Sequence, residues 1–103
     1  MAKYLFVYSG GSMPEGEEAQ AAVMAAWEGW LGGLGAAVVD PGNPTGRTAT
    51  VGAGGSTGTA ASPTTGYSLV SAGDFDAAVG LARSCPALAA GGSVEVCEIV
   101  EMM

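Results

Sequence analysis

The segment KYLFVYS, residues 3–9, carries apolar side chains on both of its faces. With the two-residue period of a strand, Leu5 and Val7 point one way and Tyr4, Phe6 and Tyr8 the other. Aromatic and β-branched residues at this density mark a β-strand. Whatever the chain folds into, both faces of this strand must be covered.

The rest of the chain supplies covering elements in a regular order. GGSMPEGEEAQ reads as a helix start. Ser12 and Glu15 have the spacing of a capping box, Pro14 suits a first turn, and Glu15, Glu17 and Glu18 favour the positive end of the dipole. Ala19, Val23, Ala26, Trp27, Trp30 and Leu34 recur at helical spacing, so the helix is expected to run to about Leu34. Gly29, Gly32, Gly33 and Gly35 weaken its second half, each by about 1 kcal/mol relative to alanine where helical. AAVVD (36–40) reads as a second strand, and PGNPTG then breaks regular structure. Thr48–Val51 has the character of another short strand. GYSLVSA (66–72) is the next strand; Asp74 is placed to cap a helix FDAAVGLARS with Phe75, Val79 and Ala82 in one stripe, which Pro86 ends; SVEVCEIVE (93–101) is the last strand.

This βαββαβ order predicts an α+β fold, the ferredoxin-like arrangement of an antiparallel sheet with both helices on one face, as a single domain over residues 1–103. The second sheet face would then be open and apolar, through the first strand and through Val94, Val96, Cys97, Ile99 and Val100 of the last. Its simplest cover is a second copy, so a homodimer is expected. Charged residues make up only 13% of the chain, well below the usual quarter, which also suits a surface partly covered by another subunit.

Net charge of −7, with Lys3, Arg47 and Arg83 as the only cations, argues against nucleic acid and against an anionic membrane surface. No apolar run reaches the length of a membrane span, and the start is too short and too strand-like for a signal peptide, so a cytoplasmic location is expected. Cys85 and Cys97, with no histidine anywhere, read as small hydrophobes; neither a metal site nor a cofactor motif is expected.

KYLFVYSGG, a helix with Trp27-x-x-Trp30, and GYSLVSAGDFDAAVGLARSCPAL followed by GGSVEV together resemble the YCII-related proteins, in the branch labelled DGPF-domain proteins. The ordered series covers nearly the whole chain. The resemblance implies a ferredoxin-like fold pairing into a dimeric α/β barrel, in a family whose biochemical role is largely unassigned. Some members carry a histidine on the first helix and a nearby aspartate facing a cleft. This chain has no histidine, and the DGPF word is replaced by GTAASPTTG.

The stretch GAGGSTGTAASPTTG, residues 52–66, lacks the lysine of a phosphate loop and the third glycine of a dinucleotide fingerprint. It is expected to be a flexible connection near the mouth of the barrel. Without histidine, Ser-His-Asp and Cys-His nucleophiles are excluded. Asp74/Asp76 and the Glu15–Glu18 group lie at helix starts, where capping and the helix dipole account for them. What remains is an aromatic cleft. Trp27 belongs to the apolar stripe and reads first as packing, whereas Tyr8, near its strand end, suits packing and cleft equally. Asp40 and Arg47 flank the PGNPTG turn, as an ion pair, as solvated loop charges, or as ligand contacts. Tyr8, Trp27, Asp40 and Arg47 are thus the candidate ligand-binding residues; no catalytic residue is assigned. The expected function is a homodimer binding a small apolar or aromatic molecule between sheet and helices. The alternatives are a cofactor-independent enzyme of the oxygenase or isomerase kind, with Tyr8, Asp40 and Arg47 acting, and a structural or accessory dimer.

Overall fold

The computed structural model describes residues 1–12, 14–59 and 63–101. In chain order the elements are β1 (Ala2–Gly10), α1 (Glu17–Leu34), a 3-10 turn (Gly35–Ala37), β2 (Val38–Asp40), β3 (Ala49–Val51), β4 (Thr57–Thr59), β5 (Thr64–Ala72), α2 (Phe75–Ala82), α3 (Pro86–Ala89) and β6 (Gly92–Glu98). Four strands form one sheet in the order β2-β5-β1-β6, with every neighbour antiparallel. This is an α+β architecture compatible with a ferredoxin-like arrangement.

β1 lies inside the sheet, paired on both edges, and its register sorts the side chains into two faces. On one face Phe6 is flanked by Ser68 and Val96, and Tyr8 by Gly66 and Val94. On the other, Leu5 is flanked by Leu69 and Cys97, and Val7 by Tyr67 and Glu95. The first face is the core: Tyr4, Phe6, Tyr8, Val70 and Ala72 are buried against Ala78, Ala82 and Cys85 of the α2 region. Full burial of a large side chain such as Phe6 contributes about 1.5–3 kcal/mol. α1 leans on this face through Trp27, Trp30 and Leu34. Trp30 stacks on Phe6 with ring centroids 6.2 Å apart, and its indole N–H donates to Ser84 Oγ at 3.0 Å, tying α1 to the chain just beyond α2.

The molecule measures 45 × 37 × 18 Å, and the short dimension is that of one sheet and one helical layer. Leu5, Val7, Tyr67, Leu69 and Cys97 on the far face remain half-buried. The radius of gyration of 14.9 Å exceeds the roughly 13 Å usual for a chain of this length. β3 and β4 pair with each other as a separate two-stranded hairpin.

Several local expectations change. α1 begins at Glu17 rather than beside Ser12, because Gly16 takes φ +96° immediately before it and no side chain caps it; the Ser12 N–H instead donates to Ala90 O. The Ser12–Glu15 box and a first turn containing Pro14 are therefore not formed, and Met13 lies outside the described residues. Ala26 is exposed, with Leu31 taking its place on the inner side of α1. Ala36 and Ala37 belong to the 3-10 turn and only Val38–Asp40 to the strand. In α2 the fully buried positions are Ala78 and Ala82, while Phe75 is 45% exposed and meets Tyr4 edge-on. α2 already ends at Ala82, and Pro86 starts α3, where its missing N–H costs nothing. The stretch from Gly52 contributes to strands: Thr57–Thr59 form β4 and Thr64 already belongs to β5, while residues 60–62 lie outside the described residues.

The Asp74 cap is formed as read, its Oδ1 accepting from Ala77 N at 2.8 Å. Asp74→Ala is expected to lower stability by about 1 kcal/mol, seen as a lower urea midpoint with unchanged slope.

Candidate functional site: an uncharged cleft between the first helix and the sheet

A cavity of about 450 Å³ opens between α1 and the ends of β1 and β5. Its helical wall is Val23, Met24, Trp27 and Leu31, spaced three and four apart so that one face of α1 supplies all of them. Its floor is Tyr8 from β1 with Gly66, Tyr67 and Ser68 from β5. Pro41, Gly42, Asn43 and Pro44 close one side. Gly10, Gly11 and Ser12, with Ala87 and Ala90, close the other.

The PGNP side holds its shape through several backbone constraints. Asp40 Oδ1 accepts from Gly42 N at 2.8 Å, an Asx-type closure of the turn. Gly42 has φ +75°, and a Cβ there would overlap the carbonyl of Tyr67, so the position admits only glycine. Beyond it the chain runs alongside the start of β5: Tyr67 N donates to Asn43 O at 3.3 Å and Thr45 N to Thr65 O at 3.0 Å. PGNPTG thus interrupts the β2 ladder and then resumes contact with β5 as an edge. Gly66 keeps that approach possible, since a Cβ there would lie 3.2 Å from Asn43 O and 3.4 Å from the Tyr8 ring.

Inside, the polar groups form one directed chain. Tyr8 Oη bonds Ser68 Oγ at 2.8 Å, and Ser68 Oγ bonds the Pro41 carbonyl at 2.7 Å. A carbonyl only accepts, so the single Ser68 proton goes to Pro41 and the Tyr8 proton must go to Ser68. Tyr8 and Ser68 are 5% and 1% exposed, so these two hydroxyls form the deep end of the cleft, and the chain leads out from them to the exposed Pro41. Burial pushes the Tyr8 phenol up to about 12; the bond to Ser68 pulls it down only in part, and Cys85 nearby adds a small upward push. At the rim the exposed Asn43 donates through Nδ2 to Tyr67 Oη over 3.4 Å. The Tyr8 and Trp27 rings meet edge to face with centroids 4.8 Å apart.

Of the sequence candidates, Tyr8 and Trp27 come together in this cleft. Asp40 does not line it; the carboxylate shapes the turn that does. Arg47 is exposed and outside the lining. Ser68, Asn43, Tyr67 and Met24 were not singled out from the sequence. Ser68 had a legible signal, a hydroxyl two residues before Val70 on the inward period of its strand. Asn43 had none, because its place depends on the turn closing over β5. Cys85 is buried in the core, and burial pushes its thiol up, which suits packing rather than nucleophilic use. Among the described residues no group of three or more His, Cys, Asp or Glu is placed to hold a metal ion, and no helix is long and apolar enough to cross a membrane.

The raised Tyr8 value sets a pH dependence. In the unfolded chain tyrosine ionises near pH 10, in the native one near 12, so the native state holds one more proton between them. The Tyr8 contribution is complete below pH 10 and lost as pH rises toward 12, by about 2–3 kcal/mol. Urea denaturation from pH 8 to 12 should show a steeper alkaline loss in the wild type than in Tyr8→Phe. Comparison with known proteins gives no match: no family model, no curated protein and no solved structure is similar to the chain.

Proposed function

We propose that the protein is a YCII-related homodimer that binds a small apolar or aromatic molecule in the cleft between α1 and the sheet. The observation that carries this reading is the cleft itself: about 450 Å³, walled by Trp27, Met24, Leu31 and Tyr8, with a few placed polar groups. That size and lining are typical of small-molecule sites. Binding is favoured over cofactor-independent catalysis by the proton inventory. Among the described residues no Asp, Glu, Lys, Arg, His or Cys lines the cleft, and Tyr8 has its proton committed to Ser68. A phenol held near 12 is a poor base at neutral pH, and one already donating is a poor acid.

The dimer part of the reading rests on the outer face of the sheet. Leu5, Val7, Leu69 and Cys97 lie there beside Tyr67, opposite the helical layer, in a body only 18 Å thick. Two copies packed through these faces would complete the dimeric α/β barrel that the sequence resemblance implies, and would cover the apolar patch.

A panel of small apolar and aromatic metabolites should contain compounds that raise the melting temperature. Trp27→Ala should reduce their affinity at least tenfold, since it removes the largest wall of the cleft. If no compound stabilises the wild type, the binding reading fails and the structural-dimer alternative gains. Separately, light scattering at micromolar concentration should give the mass of a dimer for the wild type and of a folded monomer for Leu69→Glu, which places a charge in the proposed interface.

A further inference from the structure

The directed hydrogen-bond chain in the cleft constrains the ligand more closely than its apolar walls do. Every member of the chain, Tyr8, Ser68 and Pro41, lines the cavity. Because the chain ends on a carbonyl, its polarity cannot reverse: Pro41 O accepts from Ser68, and Ser68 accepts from Tyr8. The Tyr8 oxygen is left with lone pairs and no proton to give. A molecule reaching the deep end therefore meets an acceptor, and an oxygen of its own placed there would face another oxygen without a proton between them.

Charge narrows the choice further. Among the described residues no cationic side chain lines the cavity, and the whole chain carries −7, so an ionised carboxylate or phosphate would give up hydration with no opposite charge to meet it. No anionic side chain lines it either, so an ammonium group gains no partner within the cleft. The Trp27 and Tyr8 rings both line the cavity, edge to face with centroids 4.8 Å apart. Aromatic rings in the wall suit a planar aromatic occupant.

Resting on the binding reading above, we propose that the ligand is an uncharged planar aromatic carrying an N–H or O–H donor, with that donor pointing inward to Tyr8 Oη. Its ring lies against Trp27, and any polar remainder faces out through the mouth of the cleft. Indoles and phenols have this chemistry; aromatic carboxylates and acceptor-only heterocycles do not.

Three probes of nearly equal shape separate the terms: indole, benzofuran (an oxygen in place of the N–H) and indole-3-carboxylate. Calorimetric titration of the intact protein at pH 7 should give indole the tightest binding, benzofuran about fivefold weaker or more, and no measurable binding of the carboxylate. Tyr8→Phe should bring indole down to the level of benzofuran and leave benzofuran unchanged. Ser68→Ala frees the Tyr8 proton and should narrow the difference from the other side, by improving benzofuran. A purely structural role for Ser68 would weaken both probes equally. Benzofuran binding as tightly as indole, or the carboxylate binding best, overturns the donor assignment while leaving the cleft a binding site. Failure of all three probes, together with stabilisation by some other compound of the metabolite panel, also overturns it. Failure of the probes and of the whole panel overturns the binding reading with it.

Discussion

The structure depends on one packing event, the burial of Tyr4, Phe6 and Tyr8 of β1 beneath the helices. β1 is paired on both edges, so these rings have fixed heights along the sheet, and α1 and α2 find their places by meeting them. Phe75 beside α2's cap meets Tyr4, Trp30 stacks on Phe6, and Trp27 meets Tyr8. The spacing of two along the strand and of three along α1 is what lets successive rings engage successive contacts. Loss of register in β1 would carry every ring to the far face and leave the helices nothing to rest on.

The same geometry produces the cleft. α1 has no fully buried residue; it packs on the core through the partly buried Trp27, Trp30 and Leu34. Large aromatic spacers near the middle and C-terminal half of the helix leave a gap beneath Val23, Met24 and Leu31 that the glycine- and proline-rich segments around it do not fill. The cavity is thus a consequence of bulky residues on one element facing residues with little or no side chain on the others. Its polar end exists because Ser68 replaces an apolar residue on the inward face of β5, where Val70 and Ala72 follow the ordinary pattern.

The elements themselves were readable from local chemistry. The β1 alternation, the Asp74 cap and the helical stripe through Trp27 and Trp30 each rest on interactions within a few residues, so they appear in the fold close to where the sequence puts them. Where the reading missed, a contact distant in sequence had taken over. Ser12 has the right spacing for a capping box, yet its N–H is held by Ala90, and Gly16 bends the chain before the helix can start. Pro86, which stops one helix on sequence grounds, also begins another because Cys85 is anchored in the core.

The sequence by itself determined that β1 carries apolar side chains on both faces, that strands and helices alternate in the order of an α+β sheet, and that no histidine is available to this chain. These follow from period, composition and absent residue types, none of which needs a third dimension. Only the tertiary structure decided that Asp40 holds a turn instead of facing a ligand, that Arg47 stands apart, and that Tyr8 is linked through Ser68 to the Pro41 carbonyl. The three members of that chain come from separate segments, and the direction of its protons is fixed by the one member that can only accept. Spacing along a sequence carries no information about which oxygen a folded chain brings within 3 Å of another.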